Sequence, residues 1–252
     1  QLQQHRETIF GFDLPSFADE SLGDLRKRAQ AMHAKGECVI FNLCCHLLAA
    51  GQLLRGYEIF MMDLMTDEVL AETLLDLLVE GYCRRVDRLA PALRGSVDIV
   101  LLNDDLGTQN GPMLSPATYR RMIKPYQARL FQHVKRAFGS PILFHSCGSV
   151  RDFLPDLIEL GVDALNPVQI SAAGMELHAL KRDFGKDITF WGGGVDTQSV
   201  LNKKSPREVH DVVKRNVDVL APGGGFVFCQ VHNVQPDVAP ENVVAMFQAL
   251  DG

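Results

Sequence analysis

The sequence predicts an α/β fold: a parallel sheet built from repeated strand–helix units, as in an α/β barrel. Three observations carry that prediction. Short runs of bulky apolar residues alternate with longer helical stretches, and strands that alternate with helices pair in parallel. Polar residues gather just behind each apolar run, where a barrel builds its chemistry. The length of 252 residues is enough for one large core, since barrels of this class commonly run to that size as a single domain.

Residues 1–36 hold charged, helix-like segments and a turn at Asp13-Leu-Pro-Ser16. Ser21 is placed to cap a helix to about Ala34, with Gly36 ending it. Cys38-Val-Ile-Phe-Asn-Leu43 reads as the first strand, followed by a segment rich in Leu and Ala and by Gly56-Tyr-Glu-Ile-Phe-Met-Met-Asp63. Thr66 then caps a long helix that ends before Pro91. Leu70, Leu74, Leu77, Leu78 and Gly81 mark its apolar face, with Glu72, Asp76 and Glu80 opposite. Residues 97–102 form a buried strand that runs into Asn103-Asp104-Asp105. Ser115-Pro116 opens a helix to about Phe138. Ile142-Leu-Phe144 is the third strand, and Gly148 and Ser149 turn the chain into a helix over 151–160. Residues 162–167 form the next strand, which ends at Gln169 and is followed by a helix over about 175–184. Ile188-Thr-Phe-Trp191 ends in Gly192-Gly-Gly-Val-Asp196. Pro206 opens a helix to about Leu220, Phe226-Val-Phe-Cys229 is the last strand, and Pro240-Glu-Asn starts the terminal helix. Six strands are thus predicted, where a closed barrel of this type has eight.

Composition excludes some partners. A net charge of -6 and a pI near 5.7 give no electrostatic basis for binding nucleic acid or an anionic membrane. No apolar run approaches the roughly 20 residues that span a bilayer. Cys38, Cys44, Cys45, Cys83, Cys147 and Cys229 form no C-x-x-C pair, which fits free thiols in a cytoplasmic setting better than a disulfide framework. The chain shows no signal peptide and opens on Gln1, so a trimmed or partial chain is expected.

Four clusters carry candidate chemistry. His145 and Cys147 stand two apart at a strand end, where side chains share a side and can reach one point. With a later soft ligand, either Cys229 or His232, they would make a three-ligand zinc site with an open fourth position. Taken alone, such a pair also fits a core histidine and packed cysteines. Asp104 and Asp105, with Gln109 and Asn110 nearby, would bind a substrate or act as acid and base; helix capping and loop hydrogen bonding are the competing role. Asn166, Gln169, Asp196 and Gln198 suit substrate hydrogen bonds. Gly192-Gly-Gly194 and Gly223-Gly-Gly225 lack the spacing of phosphate-binding loops and are expected to serve tight turns and close backbone approach.

Several of these stretches resemble the uroporphyrinogen decarboxylase superfamily. They are Asn103-Asp-Asp-Leu-Gly-Thr-Gln-Asn-Gly-Pro-Met-Leu-Ser-Pro116, Phe144-His-Ser-Cys-Gly148, Gly161-Val-Asp-Ala-Leu-Asn-Pro-Val-Gln169, Phe190-Trp-Gly-Gly-Gly-Val-Asp-Thr-Gln198 and His232-Asn-Val-Gln-Pro-Asp-Val-Ala-Pro-Glu-Asn242. The resemblance implies a TIM-type (β/α)8 barrel from which this chain lacks the first one or two strands. It also implies one of two activities. The decarboxylase branch acts on tetrapyrroles without a cofactor, and its arginine-rich motif and essential aspartate are not found here. The chain is more similar to the cobalamin-dependent methyltransferase branch, whose first two zinc ligands match His145 and Cys147. The third ligand of that branch falls nearer His232 than Cys229. On that basis zinc is the expected cofactor, with a methyl donor or a thiol as small-molecule partner. A corrinoid carried by a separate protein completes the scheme, because no D-x-H-x-x-G cobalamin motif occurs in the chain. Asp104 and Asp105 would line the substrate pocket. A non-catalytic scaffold, or a homo-oligomer closing its strand edges against a second copy, is the alternative.

Overall fold

The structure, a computed structural model, describes residues 19–251; the turn expected at residues 13–16 lies outside them. Six strands form one sheet in chain order: β1 (Ile40–Asn42), β2 (Ile99–Asn103), β3 (Ile142–His145), β4 (Ala164–Asn166), β5 (Thr189–Trp191) and β6 (Phe226–Val227). The registers are parallel, with Ile40 opposite Ile99, Leu165 opposite Phe190 and Trp191 opposite Val227. Parallel neighbours need a crossover, and the intervening helices supply it. They are α1 (Asp19–His33), α2 (Leu48–Arg55), α3 (Tyr57–Thr66), α4 (Glu68–Leu93), α5 (Pro116–Met122), α6 (Lys124–Phe138), α7 (Leu154–Glu159), α8 (Leu177–Phe184), α9 (Pro206–Leu220) and α10 (Pro240–Gln248). Each predicted strand contains, or overlaps by most of its length, one of these six. This is the strand–helix repeat of a TIM-type barrel.

The described chain falls into two compact units. One holds the described residues up to Asp104 with Leu114–Leu143 and Glu159–Gly161. The other holds Asp105–Met113, Phe144–Ile158 and the residues from Val162 on.

In the first unit α4 packs on α6. Leu74, Leu75, Leu78, Tyr82, Val86 and Leu89 are buried along α4, and Leu130, Phe131, Val134 and Phe138 along α6. Burying each such side chain is worth about 1.5–3 kcal/mol. Leu77, predicted on that face, is only partly buried, because it sits at the edge of the apolar stripe. Three predicted helix ends need correction. α1 begins at Asp19, two residues ahead of the predicted start at Ser21. The cap of α4 is Asp67, whose carboxylate accepts the Leu70 N–H, while the Thr66 hydroxyl donates back to the Met62 carbonyl. Pro91 lies inside the last turn of α4, where one missing N–H costs a single bond, and the Arg94 N–H still reaches the Ala90 carbonyl. The predicted helix to Phe138 is two helices. Ser115 caps the first as expected, and the break at Ile123 sits just ahead of Pro125.

The second unit has its core between α9 and α10, around Val195, Leu201, Val209, Val213, Met246 and Ala249. α9 starts where predicted, through a capping box in which Ser205 and Glu208 satisfy one another's backbone N–H groups. The glycine run after β5 permits close approach: a Cβ on Gly192 would stand 1.9 Å from the Pro167 carbonyl oxygen. No helix among the described residues is long and apolar enough to cross a membrane.

Candidate metal centre

The second unit holds the candidate ligands, and their placement begins with how the chain leaves β3. Four successive backbone N–H groups there have partners that alternate between two flanking segments. Ser146 N–H donates to the Asn166 carbonyl (2.8 Å), Cys147 N–H to Asp105 Oδ1 (3.0 Å), Gly148 N–H to Gln169 Oε1 (2.8 Å) and Ser149 N–H to the Thr108 carbonyl (2.8 Å). Gly148 turns at φ 81°, and a Cβ there would meet the Gly107 carbonyl carbon at 2.4 Å, so only glycine fits.

This arrangement groups Asp105, His145 and Cys147, each offering one ligand atom within 4.8 Å of the others. Cys147 Sγ stands 3.5 Å from His145 Nε2. The other imidazole nitrogen, Nδ1, is 2.7 Å from Asn166 Oδ1. The Asn166 amide is oriented because its Nδ2 donates to the Trp191 carbonyl at 3.0 Å, so Oδ1 must accept. The neutral His145 ring therefore has its proton on Nδ1 and its Nε2 lone pair toward Cys147, the tautomer a metal ligand requires. Exposed Asp105 and half-buried His145 and Cys147 leave the group reachable from solvent.

The same three side chains, Cys147, His145 and Asn166, also have the connectivity of a nucleophilic cysteine. Electrostatics argues the other way. Burial, then the Asp105 carboxylate by its charge and by a hydrogen bond, pushes the Cys147 thiol up to about 12. A nucleophilic cysteine needs its thiol pKa lowered. A divalent cation reverses the balance, since it stabilises thiolate and carboxylate together. The donor set of one thiolate, one imidazole and one carboxylate fits zinc.

Asp104 and Asp105 do not work as a pair. Asp104 is 2 % exposed, and its carboxylate accepts the N–H groups of Leu47 (3.1 Å), Leu48 (2.9 Å) and Ala49 (3.0 Å) at the start of α2. Capping, rather than lining a substrate pocket, is the role this geometry describes. Cys229 and His232, the predicted sources of a third ligand, are not in the group of three. β4 and β5 intervene between β3 and β6 in the sheet, whereas Asp105 is hydrogen-bonded directly to the β3 loop. Both instead line a cavity of about 220 Å³ with His145, Asn166 and Asn233. Burial raises the Cys229 thiol pKa, and its sulfur faces the Gln230 carbonyl. Of the predicted substrate contacts, Gln169 and Gln109 bind one another through Gln169 Nε2 and Gln109 Oε1 (2.7 Å), and the Gln109 amide also donates to the Ser171 carbonyl. Asp196 is buried, and its Oδ1 takes Gln198 N–H, Ser199 N–H and the Ser199 hydroxyl. Those bonds and the Ser171 hydroxyl outweigh burial and hold its carboxyl below the usual range. Gln198 is exposed. Sequence reasoning placed Asp105 among acid–base residues and Asn166 among substrate contacts. A carboxylate two residues past a strand was the available signal for a ligand, but nothing local says which neighbour it will meet.

Consecutive parallel strands joined by helices, with polar side chains at the strand ends, define a protein of the α/β-barrel class. The chain belongs to the uroporphyrinogen decarboxylase (URO-D) family, which matches it over residues 26–252. A uroporphyrinogen decarboxylase from Thermus thermophilus is 29% identical over 211 residues, covering 81% of this chain and 54% of that protein. One from Legionella pneumophila (strain Corby) is 26% identical over 216 residues, covering 83% and 55%. The chain thus spans about half the length of the curated relatives it matches. Among solved structures, a methyltransferase from Methanosarcina mazei superposes with a TM-score of 0.69 at 18% identity, over 90% of this chain and 63% of that one. That likeness carries the fold.

Proposed function

We propose that the chain is the barrel portion of a zinc-dependent methyltransferase, moving a methyl group between a small methylated substrate or thiol and a corrinoid carried by a partner protein. The observation that carries this reading is the grouping of Asp105, His145 and Cys147 with the imidazole tautomer set by Asn166. Three protein ligands leave a fourth position for substrate. Zinc held there supplies Lewis acidity, enough to keep a bound thiol as thiolate near neutral pH. Asn166 keeps the Nε2 lone pair of His145 aimed at the centre. Asp105 holds the Cys147 peptide through one oxygen and offsets cationic charge with the other. The 220 Å³ cavity beside His145 has room for a small molecule, with Asn166, Gln230 and Asn233 as polar contacts and Cys229 and His232 on its wall. Asp196 holds its own loop through the N–H groups of Gln198 and Ser199, and neither Asp196 nor Gln198 lines that cavity.

The test is elemental analysis of the purified protein beside Cys147→Ser. About one zinc per chain, lost in the variant together with methyl transfer, is the expected result. The names of the curated relatives support a second reading, cofactor-free decarboxylation of a tetrapyrrole. It predicts porphyrinogen turnover in metal-free protein that Cys147→Ser leaves unchanged.

A further inference from the structure

Of the four N–H groups that tie down the β3 loop, two donate to backbone carbonyls, which any sequence would provide. The other two donate to side chains, Asp105 and Gln169. Asp105 belongs to the candidate metal group itself. Gln169 does not, and both ends of its amide are used inside the protein: Oε1 takes the Gly148 N–H, and Nε2 donates to Gln109 Oε1. Gln109 sits on the 105–113 segment that also supplies Asp105. The segment is fastened a second time where Ala173 N–H donates to the Gln109 carbonyl (3.0 Å) and a third time where Ser149 N–H meets Thr108.

The backbone around Gln169 is shaped for this. Val168 lies in the left-handed region at φ 54° and is fully buried, a costly conformation for a β-branched residue. It stands between Asn166, which holds the His145 ring, and Gln169, which holds the peptide behind Cys147. One strand end thus delivers both holders, and packing around Val168 keeps the chain in the conformation that points them.

We propose that Gln169 is a positioning residue for the Cys147 thiol. It fixes the peptide that follows Cys147 and couples that hold, through Gln109, to the segment carrying Asp105. Thiol, imidazole and carboxylate then stand grouped before any cation arrives. This inference rests on the metal reading above, and its specific content is that a neutral side chain touching no ligand atom sets affinity and geometry at the centre.

The experiment compares wild type, Gln169→Leu and Gln169→Glu. Zinc affinity is measured by chelator competition, cobalt(II) binding by its thiolate charge-transfer and d–d bands, and loop order by hydrogen exchange at the Gly148 amide. Gln169→Leu is expected to lose about 10–100-fold in zinc affinity, as outer-layer partners of metal ligands do. It should also shift the cobalt bands and speed exchange at Gly148. Gln169→Glu keeps an acceptor for the Gly148 N–H but loses the donor to Gln109 Oε1, so it should recover the slow Gly148 exchange and only part of the affinity. Wild-type affinity and spectrum in Gln169→Leu would overturn the proposal. Should Gln169→Leu unfold, Gln169→Glu decides alone: a folded variant with wild-type affinity and bands despite losing the Gln109 contact would overturn the coupling to the Asp105 segment. Wild type that binds neither metal defeats the methyltransferase reading and this inference with it, an outcome distinct from failure of the variants alone.

Discussion

Asp104 and Asp105 are neighbours in the chain, yet each serves a different compact unit. Asp104 is buried under three backbone N–H groups of residues 47–49, and its charge is spent on the start of a helix. Asp105 is exposed, gives one oxygen to the Cys147 N–H and stands in ligand range of His145 and Cys147. Two identical side chains at one strand end have become a helix cap and a candidate metal ligand. What separates them is the set of donors that the fold brings to each.

The largest effect is expected where that comparison is broken on the structural side. Asp104→Ala strands two buried N–H groups and one partly buried one, and should cost about 3 kcal/mol or more, each buried orphan being worth about 1–3 kcal/mol. Urea denaturation should show it as a lower midpoint, with Asp104→Asn recovering part. Asp105→Ala should stay within about 1 kcal/mol of wild type and lose zinc instead. Equal destabilisation by the two substitutions would erase the distinction.

A second prediction sharpens the chemical side. Asn166→Leu removes the acceptor of the His145 Nδ1 proton and should weaken zinc binding about 10–100-fold, read by chelator competition. Because Asn166 Nδ2 also holds the Trp191 carbonyl, thermal unfolding of the metal-free protein serves as the control.

A third sets two other buried groups of the first unit against alkaline pH. Burial pushes the Cys45 thiol from 9.0 up to about 12, and burial followed by nearby Cys45 pushes the Tyr82 hydroxyl from 10.0 to about 12. The unfolded chain releases these protons near pH 9–10 and the folded chain only near 12. Their contribution is complete below pH 9 and is lost as pH rises toward 12, at up to about 1.4 kcal/mol per pH unit for each group. Denaturation midpoints between pH 8 and 11 should fall accordingly, and Cys45→Ala should flatten the slope.

The smallest effect is expected at the surface. Arg121 and Glu68 form an exposed ion pair between α5 and α4. Arg121→Ala should change stability by less than about 1 kcal/mol, an effect that added salt should shrink further. A larger loss would show that this pair does more than its exposure allows.

Much of this fold was legible because its signals are local. Alternating apolar runs located all six strands within a few residues. Pro206 marked the start of α9, because a proline fits the first helical position whatever surrounds it. The pair His145 and Cys147 was legible too, because residues two apart on a strand share a side whatever surrounds them. Where the reading failed locally, competing signals were adjacent: Thr66 and Asp67 can both cap, and Pro125 breaks a helix that periodicity alone would run through.

The neighbours at the strand ends were decided only by tertiary structure. Asp104 meets donors 55–57 residues earlier in the chain, Asp105 a donor 42 residues later, and Gln169 a donor 21 residues earlier. Nothing within a few residues of these side chains encodes which partner arrives. The sheet sets it, by laying β3 between β2 and β4 so that the segments behind those strands close on one loop. Residue types and local period determine which groups can do chemistry; strand order determines which of them meet.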